Sequence, residues 1–379
     1  MSVTINGTGN TITPVTVNTT GSVNGITPQA SNMQPFNRII NGAQNINQRG
    51  VSVTSAATYV TDRWQWDNNT STATLTFAQS TVAPTGFTNS LGITVGTADT
   101  SIAAGDLIDF RHWIEGNNVA DFGLGTASAV TFTVSFWVRS SIVGTYGASF
   151  RNSDASRVYV STFTINVANT WEQKTITVAG DTSGTWFTDN QRGLGMNICL
   201  AGGSTFQTTA GSWTGAGNFR TTSAQANLAG TSGATFYITG VQLEAGSTAS
   251  PFAHENYGDT LQKCKRYFVK FGSDGAENYI PVSTMGGCQD NYRLRCNYIL
   301  SPPMRATPAL SQNSLQTAVL GGGGDNAITN VVYAGQEYGR ESQSVFFQTA
   351  EIAGQAEGQT GWARVANSDS GYLYFDAEL

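Results

Sequence analysis

Carboxylates are the first residues of this chain whose types and spacing could do chemistry. Glycoside hydrolysis needs two carboxyl groups held roughly 5 to 10 Å apart, one acting as acid and the other as base or nucleophile. Three acids lie close together in AGDLIDFRHWIEG, and two others flank a tryptophan, but nothing in the sequence selects one pair. We therefore predict no catalytic residues, and keep a polysaccharide-degrading enzyme as an alternative. These acids are Asp106, Asp109, Glu115, Asp181 and Asp189.

Patterns for metal-dependent or nucleophilic catalysis are also missing from the sequence. The two histidines, His112 and His254, are far apart, and no His, Cys and carboxylate cluster has the spacing of a zinc site. The glycine pairs in FGLGTA and RGLGMN lack the rest of a phosphate-binding loop, and no G-x-S-x-G elbow has a plausible histidine partner. We predict no metal, no cofactor and a structural role for both histidines.

The tryptophans are more suggestive of function. A flat aromatic face beside hydrogen-bonding side chains suits a sugar ring, which has an apolar C–H face and a polar edge. In TFTVSFWVRSS, strand alternation places one tryptophan and one arginine together on the polar face. The competing interpretation is that these rings fill the core or a subunit interface. The predicted glycan-binding residues are Trp137, Arg139, Trp64, Trp66, Trp113, Trp186 and Trp213.

Composition indicates an all-β protein. Of the 379 residues only 12% are charged, while 43 are glycine, which is typical of short strands joined by many turns. Residues 37–253 show repeated period-two alternation without helical periods between. An antiparallel two-sheet β-sandwich is the economical arrangement for such strands.

Charge and hydropathy exclude several partners. The formal net charge is −6 and there is no run of Lys or Arg, so we predict no nucleic-acid binding. No apolar stretch reaches the length of a membrane span, and the first residues do not resemble a signal peptide. We therefore expect that the protein is synthesised in a cytoplasm and does not insert into a membrane.

The four cysteines are too few and too scattered for a disulfide scaffold. We interpret Cys199, Cys264, Cys288 and Cys296 as small buried apolar residues. A disulfide bond between Cys288 and Cys296 is an alternative if a hairpin brings the two residues together.

The chain divides into four segments. Residues 1–36 are interpreted as an extended attachment arm, with a disordered tail as the alternative. Residues 37–253 are interpreted as the sandwich. Residues 254–268 read as a connecting helix with Asp259 at its N-cap and Leu261, Cys264 and Phe268 on one face. Residues 269–379 read as a smaller C-terminal β domain, in which the Gly321–Gly324 run is a mobile loop.

An ordered series of sequence blocks then carries a family resemblance. NRIINGAQNINQRG, YVTDRWQW, RHWIEGNNVADFGLGTASAVTFTVSFWVRSS, ANTWEQKTITVAGDTSGTW, GSWTGAGNF and FYITGVQLEAGSTASPFAHENYGDTLQKCKRYF resemble a group of tail fibre and minor structural proteins of tailed bacteriophages. The resemblance runs from about residue 37 to 268. SPPMRATPAL and the final DAEL resemble the small β domain that follows in such proteins.

The resemblance implies a jelly-roll sandwich similar to carbohydrate-binding modules, in a virion protein without enzymatic activity. The leading hypothesis is a tail fibre or appendage, assembled in the host cytoplasm, that binds a host-surface glycan. We expect a homotrimer attached to other tail or capsid proteins through the arm. The alternatives are a non-adhesive head, collar or tail connector and a polysaccharide depolymerase.

Overall fold

The computed structural model describes residues 37–50, 52–54, 56–272, 279–290, 292–319, 326–340, 342–349, 357, 359–366 and 371–379. The predicted arm at residues 1–36 and the predicted Gly321–Gly324 loop lie outside the described residues. All strand pairings described below are antiparallel.

Twelve strands form two sheets, as the sequence predicts. One sheet has seven strands in the order β1-β2-β5-β10-β7-β8-β11, and the other has five in the order β3-β4-β12-β6-β9. The strands are β1 (Thr58–Tyr59), β2 (Trp64–Asn69), β3 (Leu75–Ser80), β4 (Ser90–Val95), β5 (Leu107–Glu115), β6 (Phe132–Ser140), β7 (Gly144–Arg151), β8 (Val158–Ile165), β9 (Glu172–Val178), β10 (Arg192–Gly202), β11 (Trp213–Thr214) and β12 (Thr235–Ala245).

The core of the sandwich lies between the two sheets and follows the strand alternation. In β6, Phe132, Val134, Phe136 and Val138 are completely buried and belong to the same cluster as the inward residues of the seven-stranded sheet. Apolar burial of this kind contributes roughly 25 cal/mol per Å² of surface removed from water. The predicted all-β antiparallel sandwich is confirmed.

The connecting segment contains one helix, α1 (Tyr257–Lys265). The predicted N-cap was wrong, because Asn256 occupies that position and Asp259 lies inside the first turn. A negative charge in the first turn interacts favourably with the helix dipole. The predicted apolar face was also too long. Cys264 is buried, but Phe268 begins the next strand. Among the described residues, no helix is long and apolar enough to cross a membrane.

In the described part of the C-terminal segment, nine strands follow the helix and confirm its predicted β character. They build a closed barrel in the order β14-β15-β19-β18-β17-β20 and a three-stranded sheet in the order β13-β21-β16. The strands are β13 (Phe268–Gly272), β14 (Gly286–Cys288), β15 (Arg293–Ile299), β16 (Ala309–Asn313), β17 (Leu315–Val319), β18 (Asn326–Tyr338), β19 (Ser342–Thr349), β20 (Thr360–Val365) and β21 (Tyr372–Asp376).

The cysteines are buried and unbonded, as predicted. Cys288 and Cys296 lie in the paired strands β14 and β15 but are both free thiols. Burial raises the pKa of the Cys296 thiol to about 11, so this residue packs as a neutral side chain at neutral pH.

Glu115, the last residue of β5, links the sandwich to the segment after the helix. Its carboxylate accepts hydrogen bonds from the Arg266 guanidinium at 2.9 Å, from the Tyr267 hydroxyl at 2.6 Å and from the Asn117 amide at 3.0 Å. Burial alone would raise the pKa of Glu115, but these hydrogen bonds and the Arg266 charge outweigh it and hold the pKa below the usual value of 4.5.

We expect this carboxylate to make folding stability depend on acidic pH. Because the pKa of Glu115 is lower in the folded than in the unfolded chain, its stabilising contribution is present above about pH 4.5 and is lost as pH falls through the folded value. Urea unfolding from pH 7 to pH 3 measures this. Glu115→Gln should be less stable at pH 7 and should lose less stability on acidification than wild type; parallel pH profiles would contradict the assignment.

Candidate functional site

The outer face of the five-stranded sheet carries the pair that strand alternation singled out. Trp137 and Arg139 lie on β6, point away from the core of the sandwich and are half-buried. Arg139 is held by a 2.8 Å hydrogen bond from its Nε to the Asn169 carbonyl, and its guanidinium lies 5.3 Å from the ring of Tyr237 on β12. The predicted placement of Trp137 and Arg139 on the polar face is therefore confirmed.

Other aromatic rings extend this pair into a row, which we call the aromatic strip. Towards β9, the Trp171 ring lies 6.4 Å from Tyr237. Towards α1, a group of three rings has centroids 4.9 to 5.1 Å apart. All of the rings are half-buried except the exposed His254. The aromatic strip consists of Trp171, Tyr237, Trp137, Phe87, Phe252 and His254.

Two glycines leave room for these rings on the face of the sheet. A Cβ atom at Gly92 would lie 3.2 Å from the Tyr237 ring. At Gly240 it would lie 2.6 Å from Phe87 and 3.2 Å from Trp137, and this glycine also has φ of +61° in a β-bulge of β12. Only glycine adopts this conformation readily, so the bulge both bends β12 and opens the space that Phe87 and Trp137 share.

The polar tips along the strip are available to a ligand. Within the described part of the chain, neither the Trp137 indole N–H nor the Tyr237 hydroxyl is hydrogen-bonded to protein. Exposed Gln173 lies opposite Trp137 on β9. At the other end, Phe252 and His254 line a small notch together with polar side chains that include Asn45 and Glu255. Flat rings beside free donors and acceptors match the two-sided character of a sugar ring.

Trp64 and Trp66 lie elsewhere, in the core. They are 0% and 1% exposed, and the Trp66 ring stacks on Phe77 at 4.4 Å. Alternation along β2 turns Gln65 and Asp67 outward instead. Both tryptophans are enclosed by protein in this fold, so we do not include them in the candidate site.

Trp186 and Trp213 form a separate pair beside β8. Their rings are 5.5 Å apart and nearly perpendicular, and both pack against the sandwich core. Each indole N–H is already used, donating to the Ser183 and Ala179 carbonyls respectively. These contacts are typical of rings that cover the edge of a hydrophobic core. Trp186 and Trp213 are therefore not part of the aromatic strip.

Trp113 lies on the outer face of the seven-stranded sheet and is 2% exposed. It lies over Gly195 of β10, whose Cβ would be 2.6 Å from the ring. The guanidinium groups of Arg151 and Arg192 lie 4.9 and 5.1 Å from its ring centre. Protein atoms therefore cover this ring, and it supports the two arginines.

A loop covers the neighbouring part of that face. Arg220, from the segment between β11 and β12, reaches Asp109 of β5 with its Nε 2.9 Å from the carboxylate, and both side chains are almost completely buried. Asn197 of β10 donates a further 2.9 Å hydrogen bond to Asp109. Asp109 thus ties the loop to the sheet.

The acids considered for catalysis are engaged in separate structural contacts. Asp109 and Glu115 are six residues apart on one strand, which separates them by roughly 20 Å, beyond the spacing of a glycosidase pair. Asp106 accepts hydrogen bonds from Thr70 and from the Ala103 backbone, and Asp181 forms a two-pronged ion pair with Arg157. Across the described ranges, no group of three or more His, Cys, Asp or Glu residues is placed to hold a metal ion.

Sequence reasoning missed most of the strip. Tyr237 had a usable signal, because it alternates with the buried Phe236 and Ile238 and must therefore face outward. Phe87, Phe252 and His254 lie in loops, where no periodicity indicates their direction. Phe87 packs against the bulge at Gly240, and Phe252 and His254 contact the Phe87 ring.

Comparisons with known proteins identify no family. No protein-family model and no curated protein matches the chain. Solved structures to which it is similar include the enzymatically active domain of bacteriophage CBA120 tailspike protein 4, at 13% identity and TM-score 0.30, covering 55% of this chain and 21% of that one. A family 11 carbohydrate-binding module of Clostridium thermocellum is 11% identical, with TM-score 0.28, covering 52% and 97%.

A third similar structure is described as a CBM4 module, at 14% identity and TM-score 0.29, covering 55% of this chain and 99% of the module. This chain thus spans about a fifth of the length of the tailspike chain. Likeness at these values identifies neither a family nor a ligand for this chain.

Proposed function

We propose that the protein is a non-catalytic glycan-binding protein, an appendage of a tailed bacteriophage that recognises a polysaccharide on the host surface. The observation that carries the glycan part is the aromatic strip, a row of half-exposed rings with unused polar tips on one sheet face. The bacteriophage part rests on the resemblance of the sequence blocks between residues 37 and 268.

Each strip offers modest affinity. We take the contribution of one stacked ring to be of the order found for pairs of aromatic rings, roughly 0.5 to 1.5 kcal/mol beyond the area that they bury. Several copies on one particle raise the apparent affinity by roughly 10² to 10⁴ when their geometry permits simultaneous contact. We therefore propose a homotrimer, joined to the particle through residues 1–36. Native mass spectrometry that found only monomer across the micromolar range would contradict the trimer.

We expect Trp137→Ala to weaken glycan binding about tenfold per site, the loss that corresponds to roughly 1.4 kcal/mol. The reason is that Trp137 supplies the central ring and a free indole N–H. Binding of the purified protein to an array of bacterial surface polysaccharides measures this effect, and adsorption of particles that carry the variant should fall more steeply. Circular dichroism and thermal unfolding establish that the variant is folded.

Trp186→Ala is the matched control, since it removes another half-buried indole that lies off the strip. It should bind glycan as wild type does. Wild-type binding by folded Trp137→Ala would exclude the strip. An absence of glycan binding by the intact protein would favour the connector alternative, and release of oligosaccharides from host polysaccharide would favour the depolymerase.

A further inference from the structure

Two arginines on the outer face of the seven-stranded sheet have no carboxylate partner. Arg151 ends β7 and Arg192 begins β10, and no ion pair among the described residues includes either of them. Their neighbours differ, because Arg111 pairs with Asp67 at 3.2 Å and Arg220 pairs with Asp109. This face therefore carries unneutralised positive charge in a chain whose net charge is −6.

Trp113 holds both guanidinium groups in place. Their carbon atoms lie 4.9 Å (Arg151) and 5.1 Å (Arg192) from its ring centre, within the range of a cation–π contact. The ring itself is fixed over Gly195, where even a methyl group would collide with it. The arginines are thus positioned before any ligand arrives, which lowers the entropy cost of binding.

The hydrogen-bonding capacity of Arg151 is largely unused. Its Nε is buried without an acceptor, and its only hydrogen bond to a described residue is a long one, 3.4 Å, to Asn218. Burial and the positive charges of Arg220, Arg111 and Arg192 outweigh the opposing charge of the Asp109 carboxylate and lower the pKa of Arg151 to about 9. An anion at the accessible side of the Arg151 guanidinium would offset this positive charge.

Two other buried polar groups on these strands also lack partners among the described residues. Ser149 is two residues from Arg151 on the same face of β7, and Asn197 faces Ser149 across β10. The Ser149 hydroxyl and the Asn197 amide oxygen have no partner within the described chain, although each residue is 99% buried or more. Because both oxygens are enclosed by protein, a ligand on this face would be recognised by the arginines and not by these two groups.

We propose that Arg151 and Arg192 bind the carboxylate of an acidic sugar, such as a uronic acid within a polysaccharide. The inference rests on the proposed function insofar as the ligand is a glycan, but it concerns the opposite sheet from the aromatic strip. The carboxylate approaches from exposed Arg192 towards half-buried Arg151.

The test compares carboxylated polysaccharides with the same polymers after chemical reduction of their carboxyl groups. Polygalacturonate, alginate and hyaluronan serve as probes at 150 mM salt, with the full-length protein immobilised. Wild type should bind at least one acidic polymer about tenfold more tightly than its reduced form. Arg192→Gln and Arg151→Gln should each abolish most of that difference without changing binding to the reduced form.

Arg293→Gln is the charge-matched control, because Arg293 is surface-exposed on the C-terminal domain and paired with Asp290; it should behave as wild type. Equal binding of acidic and reduced polymers by wild type, or unchanged preference in folded Arg192→Gln, would overturn the acidic-sugar site while leaving the strip intact. Displacement of the polymers by 10 mM sulfate at constant ionic strength would also overturn it, in favour of an inorganic-anion site. Loss of binding to every neutral and acidic glycan would count against the proposed function itself.

Discussion

Glu378→Ala should lower the free energy of unfolding by about 3 to 5 kcal/mol, the usual cost of leaving one buried charge without its partner. Glu378 forms an ion pair with Arg63, whose side chain is 1% exposed, and Arg49 approaches the same carboxylate at 3.5 Å. The Arg63 guanidinium also lies 3.6 Å from the centre of the Tyr267 ring. The carboxylate is therefore the main compensation for a cation enclosed between the sandwich and the C-terminal domain.

Equilibrium urea unfolding of wild type and variant measures this loss. Asp376→Ala is the control, since Asp376 contacts Arg49 at 3.3 Å but is 41% exposed, and exposed pairs contribute about 1 kcal/mol or less. Because the pair joins two regions, we also expect the two domains to unfold in separate steps in Glu378→Ala. A loss under 1 kcal/mol with a single transition would show that Arg63 finds another partner.

Asp109→Ala should have a comparably large effect, again about 3 to 5 kcal/mol. The substitution leaves Arg220 buried with hydrogen bonds only to the Phe219 carbonyl and to Asn218. The covering loop should then detach locally, because Asp109 is its charged attachment to β5. Hydrogen exchange of residues 203–227, compared with the rest of the sandwich, reports this detachment.

Asp67→Ala provides an internal comparison. Asp67 and Asp109 are directly paired across β2 and β5, and each contacts an arginine on the same face, but Asp67 is 31% exposed and Asp109 is 0% exposed. The difference in stability between the two variants therefore measures the effect of burial on similar ion pairs. Equal losses would contradict the argument.

The sandwich was predictable because its signal is local. Period-two alternation in β6 identifies the inward residues without knowledge of any neighbour, and Phe132, Val134, Phe136 and Val138 all lie in the core. Thr133 and Ser135 on the other face are buried as well, which alternation alone does not predict. The start of α1 was less determined, since Asn256 and Asp259 both suit an N-cap. Asn256 is the N-cap in the structure, and its carbonyl accepts the first helical hydrogen bond from the Thr260 backbone N–H.

The candidate site was predictable only in part. Trp137 and Arg139 followed from alternation. Trp64 and Trp66 were included because polar residues surround them in the sequence, yet the same alternation puts those polar neighbours on the opposite face. The remaining strip residues come from separate loops and strands, so their meeting depends on long-range packing. The ion pairs of Arg63 and Arg220 span 315 and 111 positions, respectively, and no local pattern indicates them.

The strand order of the five-stranded sheet has a consequence for synthesis of the chain. Its central strand, β12, is the last of the twelve sandwich strands to leave the ribosome, and it must insert between β4 and β6. Until then both neighbours expose unpaired backbone edges, which invite pairing with other nascent chains. At about 5 to 20 residues per second, the interval between β4 and β12 lasts on the order of ten seconds. Slower initiation and low temperature during expression, which keep nascent chains apart and weaken apolar association, should therefore raise the soluble yield.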